Sequence, residues 1–167
     1  EDCINSDLAN NFGNLCQRVS AFVIKNCKSE IPDKVNFLDK DLDLLDNYKN
    51  NLNKIREKID NQDINFYINY IVNSLFAANK YFNDEEPWSK KNDPIRLNTI
   101  IYVSLEIIRK ICFLLYPIIP SSSLRALKIF NLNEKNIFFS TLKNHNYLTA
   151  GNKINKIDIL FKKIEAK

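Results

Sequence analysis

A chain of 167 residues with two glycines and five prolines has too little turn material for an all-β or doubly wound fold. Its net charge of +4 permits contact with nucleic acid without demanding it. The apolar, uncharged run over 111–124 is too short for a membrane span and contains Pro117 and Pro120. Four cysteines (Cys3, Cys16, Cys27, Cys112) show no C-x-x-C spacing, and His145 stands alone, so zinc binding is not expected. Free thiols and the lack of a basic-then-apolar leader point to a cytoplasmic protein. The absence of methionine marks a processed chain or a piece of a longer polypeptide.

Apolar residues recur at helical spacing along most of the chain, which predicts an all-α bundle of about five helices. The first predicted helix covers 6–27, with Ser6 as its N-cap and Leu8, Phe12, Leu15, Val19 and Phe22 as its apolar stripe. A connector over 28–37 contains Pro32. The second helix, 40–59, carries Leu42, Leu45, Tyr48, Leu52, Ile55 and Ile59 on one face. The third starts near Gln62, places Ile64, Ile68, Ile71, Leu75, Ala78 and Phe82 in one stripe, and must stop before Pro87. The fourth, 94–116, is apolar on most sides and belongs at the bundle centre. Ser121 to Ser123 are candidate caps for a fifth helix through Phe130. Beyond it, a further helical turn is predicted over 136–142, a turn at Thr149-Ala150-Gly151, and an irregular or extended tail over 154–161. The reading is one domain over 1–167, with a main bundle over 1–131 and an appendage over 132–167.

Asn14 and Arg18 lie four residues apart on the polar face of the first helix. A carboxamide offers donor and acceptor, and a guanidinium offers a rigid donor fork, so together they can address the edge of a flat heterocycle. They can equally be two solvated polar residues. Asn10, one turn earlier, is a weaker candidate for the same surface, and Gly13 permits a close approach of backbone or ligand. Trp88, the only tryptophan, follows Pro87 in an interhelical loop. Proline restricts that loop, which suits the indole to stacking on an unpaired base or to capping the bundle end as an apolar lid. Residues 125–167 hold nine Lys/Arg against three Asp/Glu. Lys143, Lys153, Lys156, Lys162 and Lys163 are therefore candidate phosphate contacts, or simply surface lysines.

Leu8-Ala9-Asn10-Asn11-Phe12-Gly13-Asn14-Leu15-x-x-Arg18 and Ala78-Asn79-Lys80-Tyr81-x(5)-Pro87-Trp88 together resemble two signatures of the methionyl-tRNA synthetase C-terminal anticodon-binding domain. Pro117-Ile118-Ile119-Pro120 is similar to the turn after that family's central helix. Thr149-Ala150-Gly151-Asn152-Lys153-Ile154, with Leu160-Phe161, is similar to its closing segment, although Lys162 stands where the family usually has proline. The resemblance implies a class I synthetase module in which Asn14 and Arg18 hydrogen-bond anticodon bases and Trp88, placed by Pro87, stacks on the first of them. It implies methionine tRNA and the enzyme's own catalytic domain as partners, with ATP, Mg and optionally Zn used by the full-length enzyme. This chain has no histidine–glycine signature, no lysine–serine loop and no Rossmann-like alternation, so it is expected to be a monomeric recognition fragment without cofactor or catalytic residues of its own. The alternatives are the corresponding domain of another class I synthetase and a helical protein-interaction module without an RNA role.

Overall fold

The computed structural model describes residues 4–33 and 36–162. Five α-helices and several 3-10 turns build the described part, and no named strand occurs among the described residues. Among the described residues, no helix is long and apolar enough to cross a membrane.

π-helical turns over Ile4–Gly13 run directly into α1 (Asn14–Asn26). Helix is already formed at Ile4, so Ser6 lies inside it and is not its cap. Gly13 sits at the change of winding. A Cβ there would come within 3.3 Å of the Leu8 carbonyl oxygen and 3.5 Å of the Phe161 ring. The close approach that Gly13 permits is therefore made by the chain's own tail, whose Phe161 ring lies 6.2 Å from that of buried Phe12.

Helix α2 (Asp39–Asp60) begins where the Asp41 carboxylate reaches back to the Leu38 amide at 2.9 Å. Helix α3 (Ile64–Glu85) is capped by Asp63, which accepts from the Phe66 amide at 3.1 Å. Its predicted stripe holds from Ile71 to Phe82, but Ile64 and Ile68 face solvent. Tyr67 takes the inward position instead, donating its hydroxyl to the Leu114 carbonyl. Glu86 ends α3 in the left-handed region, at φ 44°.

Helix α4 (Pro94–Leu115) is the hub, in contact with α1, α2, α3 and α5 (Pro120–Leu127). Asp93 caps it through the Arg96 amide at 3.0 Å, and Pro94 fills the first helical position, where no amide is needed. Every residue from Thr99 to Leu115 is buried, including Glu106, Arg109 and Lys110. Buried charges need partners, and the segment after α5 supplies them. Glu106 accepts from Arg109 Nε at 2.8 Å and from the Leu148 amide at 2.6 Å. Arg109 donates to Thr141, and Lys110 donates to the carbonyls of Leu142 and Asn144.

The start of α5 differs from the sequence reading. Pro120 is its first residue after Ile119, no side chain caps it, and Ser123 Oγ is buried without a hydrogen-bond partner. The helix gives way at Lys128 to the 3-10 turn Lys128–Phe130. The chain then forms 3-10 turns at Glu134–Asn136 and Phe139–Lys143. Gly151 takes φ 82° in the predicted turn, and the tail pairs with the segment after α1 through a single antiparallel bridge, Glu30 to Lys153. Cys16 and Cys112 are buried free thiols whose pKa burial pushes up, Cys27 is half-buried and free, and Cys3 lies outside the described residues.

Candidate nucleic-acid interface

The C-terminal half of α1, the end of α3 and the loop before α4 enclose an open groove of about 510 Å³. Its walls include Arg18, Phe22, Phe82 and Trp88, with Lys25 and Lys91 at its margins. Helical spacing aligns Arg18, Phe22 and Lys25 on α1. Phe82 is the last apolar residue of the α3 stripe and is almost fully buried.

Aromatic geometry forms the floor. Phe22 and Phe82 meet edge to face at 6.4 Å and 85°, and Phe82 meets Trp88 in the same manner at 6.1 Å and 70°. The Arg18 guanidinium lies over the Phe82 ring, 5.2 Å from its centroid, and donates to Asn83 Oδ1 at 2.7 Å. Ring and amide fix the plane of the fork, and its remaining donors are available to the groove. Arg18 is thus half-buried and oriented, unlike a freely solvated helix-surface arginine.

Trp88 combines the two roles left open by sequence. Its ring packs against Phe82, yet 46 % of the residue remains exposed. Pro87 is buried and opens a 3-10 turn, Pro87–Ser89. The Ser89 amide and hydroxyl both donate to the Glu86 carbonyl, at 2.9 and 2.8 Å. The loop therefore has little freedom left to lose when a ligand arrives.

The predicted site residues divide. Arg18 and Trp88 come together in the groove, and buried Pro87 opens the turn that carries the indole. Asn14 is exposed one helical turn before Arg18 and does not line the groove; Asn10 is exposed farther away, in the π-helical turns. Phe22, Phe82, Lys25, Lys91 and Asn83 were missed as site residues. The two phenylalanines read as core, and isolated lysines carry no sequence signal. Asn79, within the second motif, is structural, since its amide donates to the Leu75 carbonyl at 3.1 Å and the Asn11 carbonyl at 3.4 Å. Lys153 pairs with Glu30 at 2.8 Å, Lys143, Lys156 and Lys162 lie away from the groove lining, and Lys163 is outside the described residues.

A domain family described as the anticodon binding domain of methionyl tRNA ligase matches residues 31–167. The chain is similar to the methionine–tRNA ligase of Rickettsia conorii, at 35% identity over 97% of this chain and 33% of that protein. It is also similar to that of Brucella suis, at 36% identity over 75% of this chain and 24% of that protein. The apo Mycobacterium tuberculosis methionyl-tRNA synthetase superposes with a TM-score of 0.91 at 29% identity, covering 99% of this chain and 34% of that one. The helical bundle is thus that of a class of synthetase domains, and the chain spans about a third or less of the relatives it matches. It belongs to the family of methionyl-tRNA ligase anticodon-binding domains.

Proposed function

We propose that this chain binds the anticodon loop of methionine tRNA through the Arg18–Trp88 groove, within a full-length ligase that charges that tRNA. One observation carries the reading: an oriented guanidinium and a half-exposed indole share one open groove, joined through Phe82. Stacking tolerates any base, whereas oriented hydrogen bonds discriminate among them. Trp88 would therefore supply affinity by stacking on the first anticodon base, and Arg18 would supply selectivity at a base edge. Asn14, exposed beside the groove, would meet a base as the loop passes along α1. Lys25 and Lys91 would neutralise the flanking phosphates.

The chemistry of charging would lie in the part of the ligase beyond this chain. Among the described residues, no three His, Cys, Asp or Glu side chains gather to hold a metal ion. ATP, magnesium and any zinc would be used by that catalytic part, and the chain alone is expected to be monomeric and to give no methionine-dependent ATP–pyrophosphate exchange.

Titration of anticodon stem-loops, followed by Trp88 fluorescence, tests the reading. Tighter binding of the methionine anticodon than of a single-base variant is expected. Equal binding, preference for a different anticodon, or no binding would each overturn it.

A further inference from the structure

We infer that Arg96 is a positioning residue for this groove: by bridging Asp41 and Glu85 it ties both ends of the Trp88 loop together and so sets the orientation of the indole. The inference rests on the anticodon-reading role proposed above. The loop leaves α3 at Glu85 and enters α4 after Asp93. Arg96, in the first turn of α4, reaches back across the base of that loop. Its Nε and one terminal nitrogen donate to Glu85 Oε2 at 3.2 and 2.7 Å. The two terminal nitrogens donate to Asp41 Oδ2 and Oδ1 at 2.6 and 3.0 Å. One planar fork therefore joins the end of α3, the start of α4 and the first turn of α2.

The remaining carboxylate valences are also met. Tyr81 donates to Asp41 Oδ1 at 2.7 Å, the Leu38 amide donates to Oδ2, and Lys40 pairs with the other oxygen of Glu85. Burial by itself would raise the Asp41 carboxyl, but the hydrogen bonds from Arg96 and Tyr81 outweigh it and hold that group below the usual carboxylate range. For Glu85, burial is likewise outweighed by the bonds from Lys40 and Arg96. Both are therefore anions, and Asp41 is fully buried. A lysine at position 96 would keep the charge but lose the bidentate fork. The turn contributes the rest of the rigidity, through left-handed Glu86 and buried Pro87. The surface role of Trp88 is thus fixed from inside the bundle.

Trp88 is the only tryptophan, so its fluorescence reports on the loop without RNA. Arg96→Lys is compared with wild type, alone and in a Trp88→Ala background, and Glu85→Gln serves as a milder break of the same tie. Acrylamide quenching of Trp88 should change in Arg96→Lys and, less strongly, in Glu85→Gln. Affinity for the methionine anticodon stem-loop should fall about 5- to 150-fold in Arg96→Lys, the range equivalent to one lost base stack. In the Trp88→Ala background, the same change should alter affinity by less than about 2-fold, because the effect passes through the indole. A lowered melting temperature with unchanged quenching and fully additive binding losses would overturn the inference, leaving Arg96 a structural staple only. If Arg96→Lys does not fold, the quenching and binding of Glu85→Gln decide by the same criteria. Should wild type show no anticodon preference, the proposed function fails, and the quenching comparison still decides whether Arg96 sets the indole.

Discussion

Two charge clusters lie along α4, and they are balanced in opposite ways. At the start of the helix, Arg96 and Lys40 face the two carboxylates Asp41 and Glu85. Farther along, Arg109 pairs with Glu106, and main-chain carbonyls of the segment after α5 accept from Lys110 and from Arg109. Arg109 is also sandwiched by rings, 5.0 Å from the Phe113 centroid and 4.4 Å from that of Tyr147. The first cluster fixes a loop that presents an indole to solvent, and its charges persist because each anion has a cation. The second pins a turn-rich segment over the core. There the backbone does the compensating, which leaves one cation able to lose its proton.

Breaking each cluster separately should separate stability from recognition. Glu106→Gln removes the carboxylate paired with Arg109 and leaves that guanidinium buried without a counter-ion. It should cost about 3–5 kcal/mol in urea unfolding while the folded fraction keeps wild-type Trp88 fluorescence. Changed Trp88 emission in that folded fraction would show that the clusters are coupled.

A pH series sharpens the contrast further. Burial, followed by the neighbouring Arg109 charge, pushes the Lys110 ammonium down to about 7 from its ordinary 10.5, although Glu106 and Asp46 oppose the shift. Above pH 7 the unfolded chain therefore holds a proton that the native chain has released. Stability contributed by neutral Lys110 should rise between about pH 7 and 10.5 and be lost as pH falls towards 7, with a slope of at most about 1.4 kcal/mol per pH unit. His145, which faces Asp46 nearby, titrates below this window because burial lowers it further. Lys110→Met should flatten the slope; an unchanged slope would mean that another group is responsible.

Smaller effects belong to the groove. Trp88→Ala should weaken anticodon-loop binding by about 1–3 kcal/mol, whereas the lost edge contact with Phe82 should cost no more than about 1.5 kcal/mol of stability. Lys91→Ala should weaken all RNA loops about equally and flatten the log–log salt dependence by roughly 0.7. A changed anticodon preference in Lys91→Ala would instead place that lysine at a base.

The long-range ties explain what the sequence reading reached and what it missed. Helices α2 to α4 were legible because their apolar spacing and the prolines at 87, 94 and 117 act locally. The Arg18–Trp88 pairing was legible only through resemblance, since 70 residues separate them and no periodicity links the two. Phe22 and Phe82 carried a core signal that concealed their second role at the groove. Arg96 and Asp41, 55 residues apart, gave no local sign of meeting. The central placement of the fourth helix was legible from its apolar faces, but the partners that Glu106, Arg109 and Lys110 find in the segment after α5 were not, because they lie more than 30 residues on. The serine cap failed because Pro120 already supplies the fixed φ at the first helical position.

The role of Arg18 is most directly tested by a double-mutant cycle over Arg18 and Asn14, read as discrimination between the methionine anticodon loop and a single-base variant. Arg18→Ala should lose roughly 1–3 kcal/mol of discrimination, taking the scale of a good bidentate base contact, with little change in melting temperature. Asn14→Ala should act in the same direction, and the two losses should be non-additive if both side chains grip one base. Wild-type discrimination in Arg18→Ala and Asn14→Ala alike would contradict anticodon reading by this helix face and leave Arg18 a packing residue over Phe82 and Asn14 a solvent-facing amide.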